Sequence, residues 1–333
     1  MIRRTLLATV AAFAMSATAA FAADDKPAIV FDIGGKFDKS FNESMYNGSE
    51  KFKAETGTAY GEFEIANEAQ REQAIRNFAD QGYSPIIAAG FAQASALEKV
   101  AKEYPELKLA IVDMVVDLPN VQSIVFNEHE GSYIVGVLAA MASKSGKVGF
   151  VGGMDIPLIR KFACGYAQGV KAAKADAAIF QNMTGDTGAA WNDPVKGGEI
   201  TKGQMAQGAD VIYAAAGATG LGVLQAAADG GALAIGVDAN QNYLHPGKVL
   251  TSMLKRVDVA VYNVMKAGKE GTFKPGILAL GLSEDGVGYA MDEHNAALVT
   301  AEMQAAAEKA KADIIAGTIK VHDYTADNTC PVQ

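Results

Sequence analysis

The sequence predicts an α/β chain built as two similar lobes, each a mostly parallel sheet flanked by helices. Three observations predict it. Short apolar runs alternate with longer amphipathic stretches along most of the chain, which is the pattern of βαβ units. Those runs show little polar/apolar alternation, as strands buried on both faces do. The series also starts twice: one strand leads into Gly34-Gly35, and a second leads into Gly152-Gly153.

Taken in order, the first series reads strand (AIVFDI, 28–33), helix (FNESMYNGSEKFKAET, 41–56), strand (EFEIAN, 62–67) and helix (AQREQAIRNFADQG, 69–82). Strands follow at PIIAAG, KLAIVD and QSIVFN. SYIVGVLAAMASKSG reads as a helix ended by Gly146. The second series has strands KVGFVGG, AAIFQN, DVIYAAAG and LAIGVD, with helical stretches between them. The tail 296–321 reads as an Ala-rich helix with a final strand. The expected division is a signal peptide at 1–22, a first lobe of 27–127 plus about 239–275, and a second of 128–238 plus about 276–333. No low-complexity linker separates the lobes, so short crossings are expected between them.

The first residues carry Arg3 and Arg4, then an Ala-rich apolar stretch, then Ala20-Phe21-Ala22. This is the form of an export signal cleaved after about Ala22. No Cys lies nearby, so an exported chain, free in the periplasm, is expected rather than a lipoprotein. Losing the two arginines takes the formal charge from −9 to −11. An acidic chain without a basic stretch argues against nucleic-acid partners. Cys164 and Cys330 are compatible with a disulfide in an oxidising compartment, or with two free thiols. The four histidines lack ligand spacing, so no metal or other cofactor is expected.

Parallel sheets bind ligands beyond the carboxyl ends of their strands. Asp32, Asp113 and Asp238 each end an apolar run, and carboxylates there suit hydroxyls, ring N–H groups and exocyclic amines. Any one of them would equally serve as a helix cap. Ser40 and Glu43 fit a capping box, which puts Phe41 and Asn42 in the first helical turn, with Asp38 beside them. Trp191 precedes a second helix start, capped by Asn192 or Asp193 with Pro194 at its first position. One aromatic from each lobe would form a slot for a flat ligand; for Phe41 a hydrophobic staple or simple packing is the alternative. Gly217, Gly220 and Gly222 only loosely resemble a dinucleotide fingerprint and suit a tight turn beside a ligand. Lys255 follows the run VLTSML and is placed to donate to hydroxyls or to hold Asp238.

These same residues resemble the basic membrane protein (BMP) family of substrate-binding proteins, the PnrA-like purine nucleoside receptors. The resemblance covers about residues 27–290 and rests on DKSFNES, NEHEGSYIVGVLAAMASKSGKVGFVGGMDIPLIRKFACGY, DTGAAWNDPVKGGEI, AAGATGLG and GVDANQ. It implies a type I periplasmic-binding fold, two Rossmann-like lobes joined by three crossings around a ligand cleft, and an ABC permease with ATPase subunits as partners. It implies a base stacked between Phe41 and Trp191, where such members often carry Phe at the second position. Asp32, Asn42 and Asp113 would contact the base, and Gly217, Asp238 and Lys255 the ribose hydroxyls. Phe162 would line the pocket or pack within its helix.

The expected function is capture of a purine nucleoside (adenosine, guanosine or inosine) for import, by a monomer. A free purine such as adenine, or a sugar, is the alternative. A nucleoside hydrolase using Asp32, Asp113 and Asp238 is disfavoured because these acids are dispersed singly. Without an Arg/Lys cluster, nucleotides are disfavoured too.

Overall fold

A computed structural model describes residues 26–332; the expected signal peptide lies outside the described residues. The chain first builds β1 (Ala28–Phe31), α1 (Phe41–Thr56), β2 (Gly61–Glu64), α2 (Gln70–Asp80), β3 (Ile86–Ala88), α3 (Ala94–Glu103), β4 (Leu109–Val112) and β5 (Val121–Phe126). It crosses into α4 (Glu128–Ala142), β6 (Lys147–Met154), α5 (Pro157–Ala173), β7 (Ala178–Gly185), α6 (Pro194–Ala206), β8 (Val211–Ala215), α7 (Thr219–Asp229), β9 (Leu233–Asp238) and β10 (Val249–Lys255). It then returns for α8 (Val257–Lys269) and β11 (Gly276–Leu280), and crosses a third time into β12 (Val287–Tyr289) and α9 (Ala301–Ile315).

Two six-stranded sheets result, in the orders β11-β5-β4-β3-β1-β2 and β12-β10-β9-β8-β6-β7. All pairings are parallel except that of β10 with β12. This is the type I periplasmic-binding architecture.

Sheet membership corrects the expected division of the C-terminal part. β10 lies within 239–275 yet belongs to the second sheet, and β11 lies within 276–333 yet closes an edge of the first. The expected strand at the end of the tail does not form either. Residues 318–321 join no sheet, although Ile319 and Val321 pack on the core.

The period of two along each strand sorts side chains between the sheet faces. In β1, Ile29 and Phe31 join the core beneath α1 and α8, while Ala28 and Val30 join the core beneath α2 and α3. In the second lobe Phe150 and Tyr213 face α4 and α5, while Val151 and Ile212 face α6 and α7. One apolar core runs from the α1/α8 side of the first lobe to the α4/α5 side of the second. Helices α4 and α5 meet at backbone distance: a Cβ on Gly169 would lie 2.0 Å from the Tyr133 carbonyl oxygen. Glycine is required there.

Cys164 on α5 and Cys330 in the tail form a disulfide, which resolves the open question of their pairing. The tail is further held by a reciprocal bond pair: His322 N–H donates to Gln168 Oε1, and Gln168 Nε2 donates to the His322 carbonyl.

Candidate functional site

The carboxyl ends of both sheets face each other across a cavity of about 630 Å³, its mouth included, within the size range of small-molecule sites. All ten residues singled out in the sequence line it: Asp32, Asp38, Phe41, Asn42 and Asp113 from the first lobe, and Phe162, Trp191, Gly217, Asp238 and Lys255 from the second.

The loop after β1 is organised around two side chains. Asn42 donates from Nδ2 to the carbonyls of Asp32 and Gly35 and accepts from Asp32 N–H. Its amide therefore fixes the loop, which leaves it little capacity for the base contact expected of it. Asp38 accepts from the backbone N–H groups of Ser40, Asn42 and Glu43. It caps α1, where its charge also suits the helix dipole.

The expected capping box is thus replaced. Ser40 makes no cap bond; its hydroxyl crosses the cleft to Asp238 Oδ2 at 2.5 Å. Glu43 instead accepts from Lys39 N–H and Nζ. Burial, with Asp238 nearby, pushes the Asp38 carboxyl up to about 7 against the pull of its three N–H donors.

Asp32 accepts from Ile33 N–H and from Arg71 Nη2, which reaches it from α2 at 3.2 Å. Burial raises its pKa in spite of that guanidinium. Asp113 and Asp238 share a backbone device. Each leaves its strand with a left-handed φ, +71° and +65° respectively, a conformation that aspartate tolerates better than most residues.

Trp191 ends a short 3-10 turn, Gly188–Trp191, and Asp193 caps α6 by accepting from Lys196 N–H, with Pro194 at the first helical position as expected. The indole lies against Gly153, where a Cβ would sit 2.3 Å from the ring, so the larger ring fits because this strand residue has no side chain. Phe91, from the first lobe, meets Trp191 edge-on with centroids 6.5 Å apart.

Lys255 is the electrostatic centre of the site. Only 2% of it is exposed. Its ammonium lies 2.7 Å from Asp113 and 2.9 Å from Glu128, and within 5.5 Å of the ring centres of Phe41, Phe126 and Phe162. Burial opposes its charge, but Asp113, Glu128 and Asp238 outweigh it and raise its pKa. The same burial pushes Asp113 up to about 6 even with Lys255 beside it. Of the two roles expected for Lys255, bonding Asp238 is not realised; Asp113 and Glu128 take that place.

Glu128 in turn faces Lys161 at 3.1 Å, and Lys161 reaches Asp323 of the tail at 3.3 Å. Burial disfavours the Glu128 carboxylate, but Lys255 and Lys161 hold its pKa below the ordinary value. No group of side chains able to hold a metal ion occurs among the described residues.

His129, next along α4, is buried beside Lys161, which together depress its pKa to about 4 against the pull of Asp323 and Glu128. A base with a lowered folded-state pKa takes its proton first in the unfolded chain. Stability is thus lost as pH falls from 6.5 toward 4, by about 3 kcal/mol at the acid limit. His129→Gln is expected to flatten the fall in melting temperature between pH 7 and pH 4.5; a parallel fall in both proteins would refute the assignment.

Sequence reasoning missed Ser40 as a partner of Asp238, as well as Arg71, Phe91 and Glu128. A local signal existed only for Glu128, a charged residue placed between a buried strand and an apolar helix.

The family described as ABC transporter substrate-binding protein PnrA-like matches residues 26–325. The chain is 36% identical to a CD4+ T-cell-stimulating antigen of Listeria monocytogenes over 88% of its own length and 87% of the relative. It is 34% identical to the ABC transporter nucleoside-binding protein BmpA of Lactococcus lactis, over 90% and 89%. A relative from Pyrococcus horikoshii, 36% identical over 79% and 68%, is named an uncharacterised lipoprotein. Among solved structures, a solute-binding protein of an ABC transporter system from Aeropyrum pernix superposes with a TM-score of 0.82 at 30% identity, covering 90% of this chain and 93% of that one.

Proposed function

The chain belongs to the PnrA-like family of ABC transporter substrate-binding proteins, and from that premise we propose that it captures a purine nucleoside for import. Such a protein works outside the cytoplasm, delivers a small molecule to a permease with its ATPase subunits, and is not an enzyme. The observation that carries the nucleoside reading is that aromatic rings and carboxylates from both lobes line one cavity. Phe41 and Trp191 offer faces for the base, and base–aromatic stacking contributes about 1–3 kcal/mol per base. Asp32 and Asp113 are the acceptors for purine N–H groups. Asp238, Lys255 and the Gly217 turn serve the ribose. Carboxylates offset the charge of both Arg71 and Lys255, which disfavours a phosphate but leaves a neutral hydroxyl acceptable.

Adenine is the second reading, since the slot alone would hold it. We further propose a monomer free in the periplasm, although the lipoprotein name of the Pyrococcus relative points the other way for that protein.

Titration with adenosine, guanosine, inosine, adenine and ribose, followed by calorimetry and by the emission of the sole tryptophan, Trp191, tests the reading. Saturation by the nucleosides is expected. Phe41→Ala and Trp191→Ala should each weaken binding by about 1–3 kcal/mol, while Asp238→Ala should weaken a nucleoside and spare adenine. No heat and no emission change with any purine would sink the ligand assignment.

A further inference from the structure

Glu128 does not line the cavity, yet it is 1% exposed and touches the one ammonium that does. It is the first residue of α4, where the chain first crosses between lobes. Lys255 is the last residue of β10, where the chain crosses back. One carboxylate oxygen of Glu128 faces Lys255 Nζ at 2.9 Å and the other faces Lys161 Nζ at 3.1 Å. Lys161 is itself fixed, because it donates to the Phe126 carbonyl at 2.7 Å.

A lysine carries three donors on a flexible stem, and its direction is set by what holds it. Asp113, which lines the cavity, already takes the ammonium through both oxygens, at 2.7 and 2.8 Å. Glu128 faces the same ammonium from the crossing side at 2.9 Å, so Lys255 is held between two carboxylates rather than by Asp113 alone. From this geometry we propose that Glu128, oriented by Lys161, is a positioning residue that fixes Lys255 for recognition of ligand hydroxyls. The inference rests on the nucleoside reading above and adds to it the source of hydroxyl selectivity.

The test compares adenosine with 2′,3′-dideoxyadenosine on the full chain. The two ligands share a base, so changes on the base side cancel in their affinity ratio. In Glu128→Gln, which keeps shape and loses charge, the preference for adenosine is expected to shrink by about tenfold, within the range of coupled neighbours. The dideoxy ligand should bind as it does to wild type. Lys161→Met, which frees the other oxygen of Glu128, should move the ratio the same way and serves if Glu128→Gln does not fold. Equal weakening of both ligands, or an unchanged ratio, in the folded variants overturns the inference and leaves the nucleoside reading standing. A wild-type protein that binds neither ligand overturns both.

Discussion

Lys255→Met is expected to lower the unfolding free energy by about 3–5 kcal/mol, the usual cost of stranding one member of a buried ion pair, and to remove measurable nucleoside binding. The ammonium at 2% exposure is the shared partner of Asp113 and Glu128. Glu128 keeps Lys161, so the stranded charge falls mainly on Asp113. That carboxyl already sits near 6 because of burial, and losing its cation pushes it higher. An acid whose folded-state pKa is raised binds its proton more tightly in the folded chain, so acidification through that pKa restores stability. Urea denaturation of both proteins at pH 8 and pH 5 checks this. The wild-type advantage should be larger at pH 8; a gap that is the same at both values would show that the loss comes from packing rather than from charge.

The second large effect concerns the tail. Its disulfide closes a sequence separation of 166 residues, and loss of such a bond costs about 2–5 kcal/mol. Cys330→Ser is therefore expected to lower the melting temperature by about 4–10 °C. The damage should be local at first. Backbone amides of residues 318–330 should lose hydrogen-exchange protection while β1, β4 and β6 keep theirs, because the tail is otherwise held by few ties: the Gln168–His322 pair, the contacts of Asp323 with Lys161 and His129, and the packing of Ile319 and Val321. Reduction of the wild-type protein should reproduce the change. A melting temperature unaltered by either treatment would contradict the pairing.

Local pattern was enough to find ten of the residues that line the cavity, and for the carboxylates one rule placed them. A carboxylate that ends a buried parallel strand must emerge at the sheet's ligand-facing edge, and Asp32, Asp113 and Asp238 all do. The helix start at Phe41 was legible for a similar reason, though its capping group was not. Asp38, Ser40 and Glu43 are all chemically able caps, and Ser40 was lost to that role only because Asp238, 198 residues away, claims its hydroxyl. Arg71 and Glu128 escaped because their importance lies in partners from other elements. The C-terminal division failed because β10 and β11 are locally similar apolar runs. Which sheet each joins is decided by where the crossings at 256 and 281–286 lead the chain.

The left-handed backbone at Asp113 and Asp238 also narrows the substitutions through which this pocket can diversify. Most side chains cost about 1–2 kcal/mol in that conformation, and asparagine is the chief exception that retains a polar group of the same length. One nucleotide change converts an aspartate codon to asparagine, replacing an acceptor-only group by one that both donates and accepts. A lengthened acid or a β-branched residue would carry the backbone penalty before meeting any ligand. Evolution of new ligand preference in this scaffold is accordingly channelled at these two positions toward exchange of acid for amide, while the aromatic positions, free of that constraint, remain open to changes of size.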